Sequence, residues 1–69
     1  MALSKIPLCP ICNNEMSYDD TDFHFKGCKD NYWICYNCHV SCITKIRYGI
    51  PNDRTFYNEQ GDVIRYEHK

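Results

Sequence analysis

The sequence predicts a small, mostly-β domain held together by its cysteines, and three observations lead there. Its 69 residues bury too little apolar surface to offset chain ordering comfortably, so a staple is expected. Six residues are cysteines, four of them in two C-x2-C pairs. The β-prone segments alternate or cluster in short runs divided by Gly, Pro, Asn and Asp, the punctuation of hairpins. The chain reads as one domain over 1–69, with a cysteine-bearing core at 7–48 and a hairpin extension at 55–67.

The first element is a turn. In Pro7–Met16 (PLCPICNNEM), two prolines and two asparagines bracket Cys9 and Cys12 and exclude a continuing helix or a central strand. Thr21–Lys26 (TDFHFK) alternates, which puts Phe23 and Phe25 on one side of a half-buried strand and Asp22, His24 and Lys26 on the other. Gly27 ends it, residues 27–31 read as a polar loop, and Tyr32–Cys35 returns as the second strand of a hairpin that delivers Cys35. Val40–Tyr48 (VSCITKIRY) is β-branched and aromatic; as a strand it sets Cys42, Thr44, Ile46 and Tyr48 opposite Ile43, Lys45 and Arg47, although a helix also fits. Gly49–Arg54 reads as a turn-rich linker, and Thr55–Tyr57, Asn58–Asp62 and Val63–Glu67 as a second hairpin around Gly61.

The cysteine spacing carries the chemistry. Cys9/Cys12 and Cys35/Cys38 are 22 residues apart. A two-residue gap lets a tight turn aim two sulfurs at one point about 2.3 Å away, while backbone N–H groups stabilise the thiolates. Two such turns complete a tetrahedron, which suits one Zn2+ per chain. The residue after the second cysteine of each pair is expected at positive φ; here it is Asn13 or His39, which tolerate that region well among non-glycine residues. Four thiolates also accept iron, as in rubredoxin-like electron carriers, and six cysteines allow 15 disulfide pairings. Met1–Leu8 lacks an apolar signal-peptide core and no stretch is long enough to span a membrane, so reducing surroundings and a cytoplasmic location are expected, which favours metal over disulfides.

Cys28 and Cys42 are left over. They read as free thiols, Cys28 in a loop between Lys26 and Lys29 and Cys42 as a small core residue. A second, mixed Cys/His metal site with His24, His39 or His68 is the alternative.

CPIC at 9–12, CYNC at 35–38 and the hairpin leading into the second pair resemble the zinc ribbon family over residues 9–38. The resemblance implies those four cysteines as ligands at the ends of β-hairpins, a three-stranded zinc-ribbon-like antiparallel sheet, and a role docking on proteins or touching nucleic acid. The missing knuckle glycines and the tail at 49–69 depart from that pattern.

The net charge of −1 argues against a surface devoted to phosphates. The best nucleic-acid candidates are Lys45, Arg47, Tyr48, Arg54, Tyr57 and Arg65, provided they share one face, since bases stack on rings while cations neutralise phosphates. The acidic run Tyr18–Asp22 suits a basic protein surface instead. Closed four-thiolate coordination leaves no position for a reacting water, so no enzyme is expected. The reading is a non-catalytic zinc-binding adaptor or regulator of a larger protein, of the kind found in nucleic-acid machinery, with direct DNA or RNA binding as the alternative and a homodimer allowed by surplus aromatic residues and an edge strand.

Overall fold

In a computed structural model, which describes residues 5–68, the chain forms a five-stranded antiparallel sheet with no helix among those residues. The strands are β1 Ser17–Phe25, β2 Cys28–Cys35, β3 Val40–Arg47, β4 Ile50–Tyr57 and β5 Val63–His68. They lie in chain order, so every connection joins neighbours and β1 and β5 are the edges. The five strands match the expected ribbon-like antiparallel sheet with an added C-terminal hairpin, the two joined here into one continuous sheet, and Val40–Arg47 is a strand, as its β-branched run favours.

Opposed residues share a face. Trp33↔Cys42↔Phe56 and Asn31↔Thr44↔Arg54 are continuous rows on one side of β2, β3 and β4. That face is buried at the end that carries Cys35 and Val40, where Cys9, Met16, Cys35, Val40, Cys42 and Phe56 cluster with Cys12, Trp33 and Cys38 against them. The segment before β1 covers it: Met16 N–H donates to Pro7 O (2.9 Å), and a single bridge joins Leu8 to Glu15. Trp33 meets Tyr18 edge-on, with ring centroids 5.6 Å apart.

Three expectations are corrected. Residues 50–54 belong to β4 and are not a linker. Pro51, which has no N–H to donate, sits at the register shift opposite Lys45/Ile46 and beyond Asp53↔His68, the last described pair with β5, positions at which a sheet tolerates proline. The polar loop expected at 27–31 shrinks to Lys26–Gly27, because β2 already begins at Cys28. Phe23 and Phe25 do not form the buried side of β1: a register shift at His24 breaks their alternation, and they stand 75% and 68% exposed.

At the end of the sheet away from Cys35, two tight turns touch. Gly27 has φ 76° and Gly49 N–H donates to Gly27 O at 2.8 Å. A Cβ on Gly27 would lie 2.9 Å from Tyr48 Cα, so glycine is required there by both conformation and space. Tyr48 and Gly49 both have positive φ (54° and 78°), which identifies the β3–β4 connection as a type I′ hairpin turn and takes Tyr48 out of the strand.

Candidate metal centre

Each cysteine pair sits on a turn closed by the same bond. Asn13 N–H donates to Cys9 O and His39 N–H to Cys35 O, both at 2.8 Å. Asn13 (φ 62°) and His39 (φ 57°) take the left-handed conformation that the sequence assigns them. The first turn is further fixed by Cys9 N–H to Asn14 O at 2.9 Å, and the second is the β2–β3 connection itself. One pair thus comes from the covering segment and the other from the sheet, and the site ties the two together.

The sulfurs of Cys9, Cys12, Cys35 and Cys38 all lie within 4.8 Å of one another. Cys12 Sγ and Cys35 Sγ are 3.7 Å apart, far from bonded. Zinc–sulfur bonds of about 2.3 Å give a tetrahedron edge of about 3.8 Å, so this spacing suits a metal at the centre. Ile11 N–H points at Cys9 Sγ (3.4 Å) and Asn37 Nδ2 at Cys38 Sγ (3.8 Å), donors that steady thiolate charge. Cys9 and Cys35 are buried, whereas Cys12 and Cys38 are half-buried and form the outer side. The four fit one zinc ion, with the closed all-thiolate shell of a structural site.

Electrostatics point the same way. The Asn14 backbone N–H, outweighing desolvation and helped by the neighbouring thiols, lowers Cys12 to about 7. Desolvation, together with the surrounding thiols and the Cys12 charge, raises Cys38 to about 12. Cys12 is pushed toward its charged form while Cys38 is held toward its neutral form, first by desolvation and then by the thiols and charge beside it. A divalent cation removes that conflict and lets all four bind as thiolates.

The other candidates do not join a second centre. Cys42 is fully buried between Trp33 and Phe56 on the core face, and burial pushes its thiol up to about 12 against the lowering effect of Arg54 and Thr44. Cys28 starts β2, seven residues and about 23 Å from Cys35 by strand rise; it is 3% exposed, which corrects the open loop position expected for it. His24 Nε2 is bonded to Asp30 Oδ2 at 2.9 Å, and His39 is an exposed knuckle residue. Among the described residues the four knuckle cysteines are the one cluster of three or more potential ligands.

The six nucleic-acid candidates are likewise divided. Lys45 aligns with Asp53 on the face opposite the core, where Arg47 contacts Asp30 at 3.2 Å. Arg54 and Arg65 belong to the core-side face, and Arg54 is buried with its Nε–H on Thr44 Oγ1 at 3.0 Å. Tyr48 is in a turn and Tyr57 is at the end of β4. The condition that all six share a face fails, because strand alternation separates Arg47 from Arg54 and Arg65.

Sequence reasoning missed a different surface. Phe23, Phe25, Tyr48 and Ile50 are all exposed at the end with the two touching turns. Beside them lies a groove of ≈ 430 Å³ lined by Phe23, Phe25, Ile46 and Cys28 together with Lys26 and Lys29. Paired glycine turns at 26–27 and 48–49 are the signal that brings these rings together.

No family model, curated protein or solved structure matches the chain. Over the described residues, fold and site define a small all-β domain with a four-cysteine cluster that could hold a metal. The two knuckles are consistent with a zinc-ribbon-like motif.

Proposed function

We propose that the protein is a non-catalytic, zinc-stapled adaptor that docks on a segment of a larger protein. The carrying observation is the exposure of Phe23, Phe25, Tyr48 and Ile50 at the sheet end remote from the four knuckle cysteines, beside a largely apolar groove with Lys26 and Lys29 on its rim. Lys29 Nζ lies 5.8 Å from the centroid of the Phe23 ring, and no carboxylate lines the groove. The chemistry that fits is an apolar side chain flanked by aspartate or glutamate, seated on the rings with its carboxylates toward the lysines. Zinc contributes by fixing the strands that hold this surface, not by touching the partner. The exposed acids Asp19, Asp20 and Asp22 on β1 and the divided cations favour a protein over DNA or RNA as the partner.

Panning a random peptide-display library on the zinc-loaded protein tests this. Enriched peptides should combine Leu, Ile or Phe with acidic residues, and Phe25→Ser should abolish their binding while leaving the thermal melt unchanged. Enrichment of basic peptides, or oligonucleotide binding that weakens steeply with salt, would contradict it.

A further inference from the structure

The two edges of the sheet differ. On β1, Asp19, Asp20 and Asp22 crowd an edge broken by register shifts at Tyr18/Asp20 and Phe23/Phe25. Charge and bulges of this kind keep strands from adding to an edge. On β5 the residues are Val63, Ile64, Arg65, Tyr66, Glu67 and His68, and from Arg65 to His68 the strand is in regular register with Phe56 to Asp53. Among the described residues, no strand pairs with its outer side.

We infer that β5 pairs antiparallel with β5 of a second copy, centred on Tyr66, to join two sheets across a two-fold axis. Opposite charges favour that register, whereas centring on Ile64 would leave Arg65 opposite Val63. Centring on Tyr66 sets Arg65 opposite the second copy's glutamate at 67 and Glu67 opposite its arginine at 65, on the same face, with the two Tyr66 rings side by side on the other. Centring on Arg65 or Glu67 sets like charges opposite each other. Self-pairing of β1 around Thr21 opposes aspartates.

The groups are already poised for this. Glu67 Oε2 accepts from Arg65 Nε at 2.9 Å, and Arg54 Nη1 stands 3.9 Å from Glu67 Oε1, so the carboxylate is held in an arginine-rich row that the pairing extends across the axis. Tyr66 is 56% exposed, with its hydroxyl on Asp53 Oδ2 at 3.3 Å. A two-fold contact uses both copies' edges at once and closes the assembly instead of growing a fibre.

Sedimentation velocity on the zinc-loaded full chain, from micromolar to millimolar, tests the inference. The parent should shift from monomer to dimer with concentration. Arg65→Glu creates two opposed glutamate pairs and should weaken the dimer about tenfold or more. Tyr66→Lys, at an exposed position, supplies the second test should the first variant lose its far-UV spectrum, and Lys45→Glu on β3 should leave the dimer intact. A parent that stays monomeric at millimolar concentration overturns the inference, and so does a dimer that survives Tyr66→Lys. A dimer lost instead in Phe25→Ser would assign self-association to the groove end and also overturn it.

Discussion

Single residues carry much of the stability in so small a protein. Cys35 is at once a ligand candidate, the end of β2 and a member of the core cluster, so Cys35→Ser should remove the metal and most of the β-sheet signal together. Far-UV spectra with and without zinc check it, and a variant that keeps the parent's spectrum and melt would count against a structural metal. Gly27→Ala should cost about 1–3 kcal/mol in urea unfolding, since the new methyl meets the Tyr48 backbone at a positive φ. Cys42, its thiol raised to about 12 by burial, should stay unalkylated by iodoacetamide in the zinc-loaded protein and react only on unfolding. Labelling at the rate of an unfolded peptide would show that this thiol is not in the core.

Asp30 gives a pH test with a definite sign. Desolvation alone would raise its carboxyl, but hydrogen bonds and charge from His24 and Arg47 prevail and lower it. A carboxyl lowered in the fold stabilises fully above the ordinary carboxylate range, and that contribution fades as pH falls through the lowered value. Asp30→Asn should therefore be less stable than the parent at neutral pH, with the gap shrinking on acidification. Urea midpoints across the acid range measure it, and a gap that widens would contradict the assignment. At this scale the sequence was informative where chemistry is distinctive: the cysteines and the left-handed Asn13 and His39 were legible. Tyr48 was not, because tyrosine carries no signature of positive φ, and Arg54 was read as a surface cation because its burial depends on the long-range register with Thr44.

Among the elements, hairpins were easier to read than their limits. The Tyr32–Cys35 half of β2, β3 and the Asn58–Asp62 connection follow from β-prone runs and turn residues, and Asn58 Oδ1 indeed accepts from both Gln60 N–H and Asp62 N–H. Alternation misled on β1, where one extra residue at His24 shifts the pleat and frees both phenylalanines from the core. Turn-residue composition misled on β4, where Gly-Ile-Pro-Asn-Asp suggests a loop but pairing with β3 overrides local preference. The β3–β4 turn offers an element-scale prediction. A type I′ turn favours Asn-Gly, so Tyr48→Asn should raise stability by about 0.5 kcal/mol, read as a higher melting temperature. A loss of stability would mean that the Tyr48 ring packs more firmly than its 78% exposure indicates.

For the molecule as a whole, one sheet and a short covering segment leave a core in which four of nine clustered side chains are knuckle cysteines. Binding of a structural zinc is worth roughly 10–16 kcal/mol in comparable small sites at neutral pH, which exceeds what so few buried apolar groups supply. The single domain and its staple were legible from length and cysteine spacing. The exposed aromatic end was not, because it depends on which hairpin turns meet in space.

Native mass spectrometry of protein purified without added metal is the most direct measurement. One zinc per chain is the predicted result, with the bound form lighter by four protons than the sum of the reduced chain and Zn2+. A metal-free chain lighter by six hydrogen atoms would mean a disulfide framework, and two metals or an iron centre would equally contradict a single structural zinc held by Cys9, Cys12, Cys35 and Cys38.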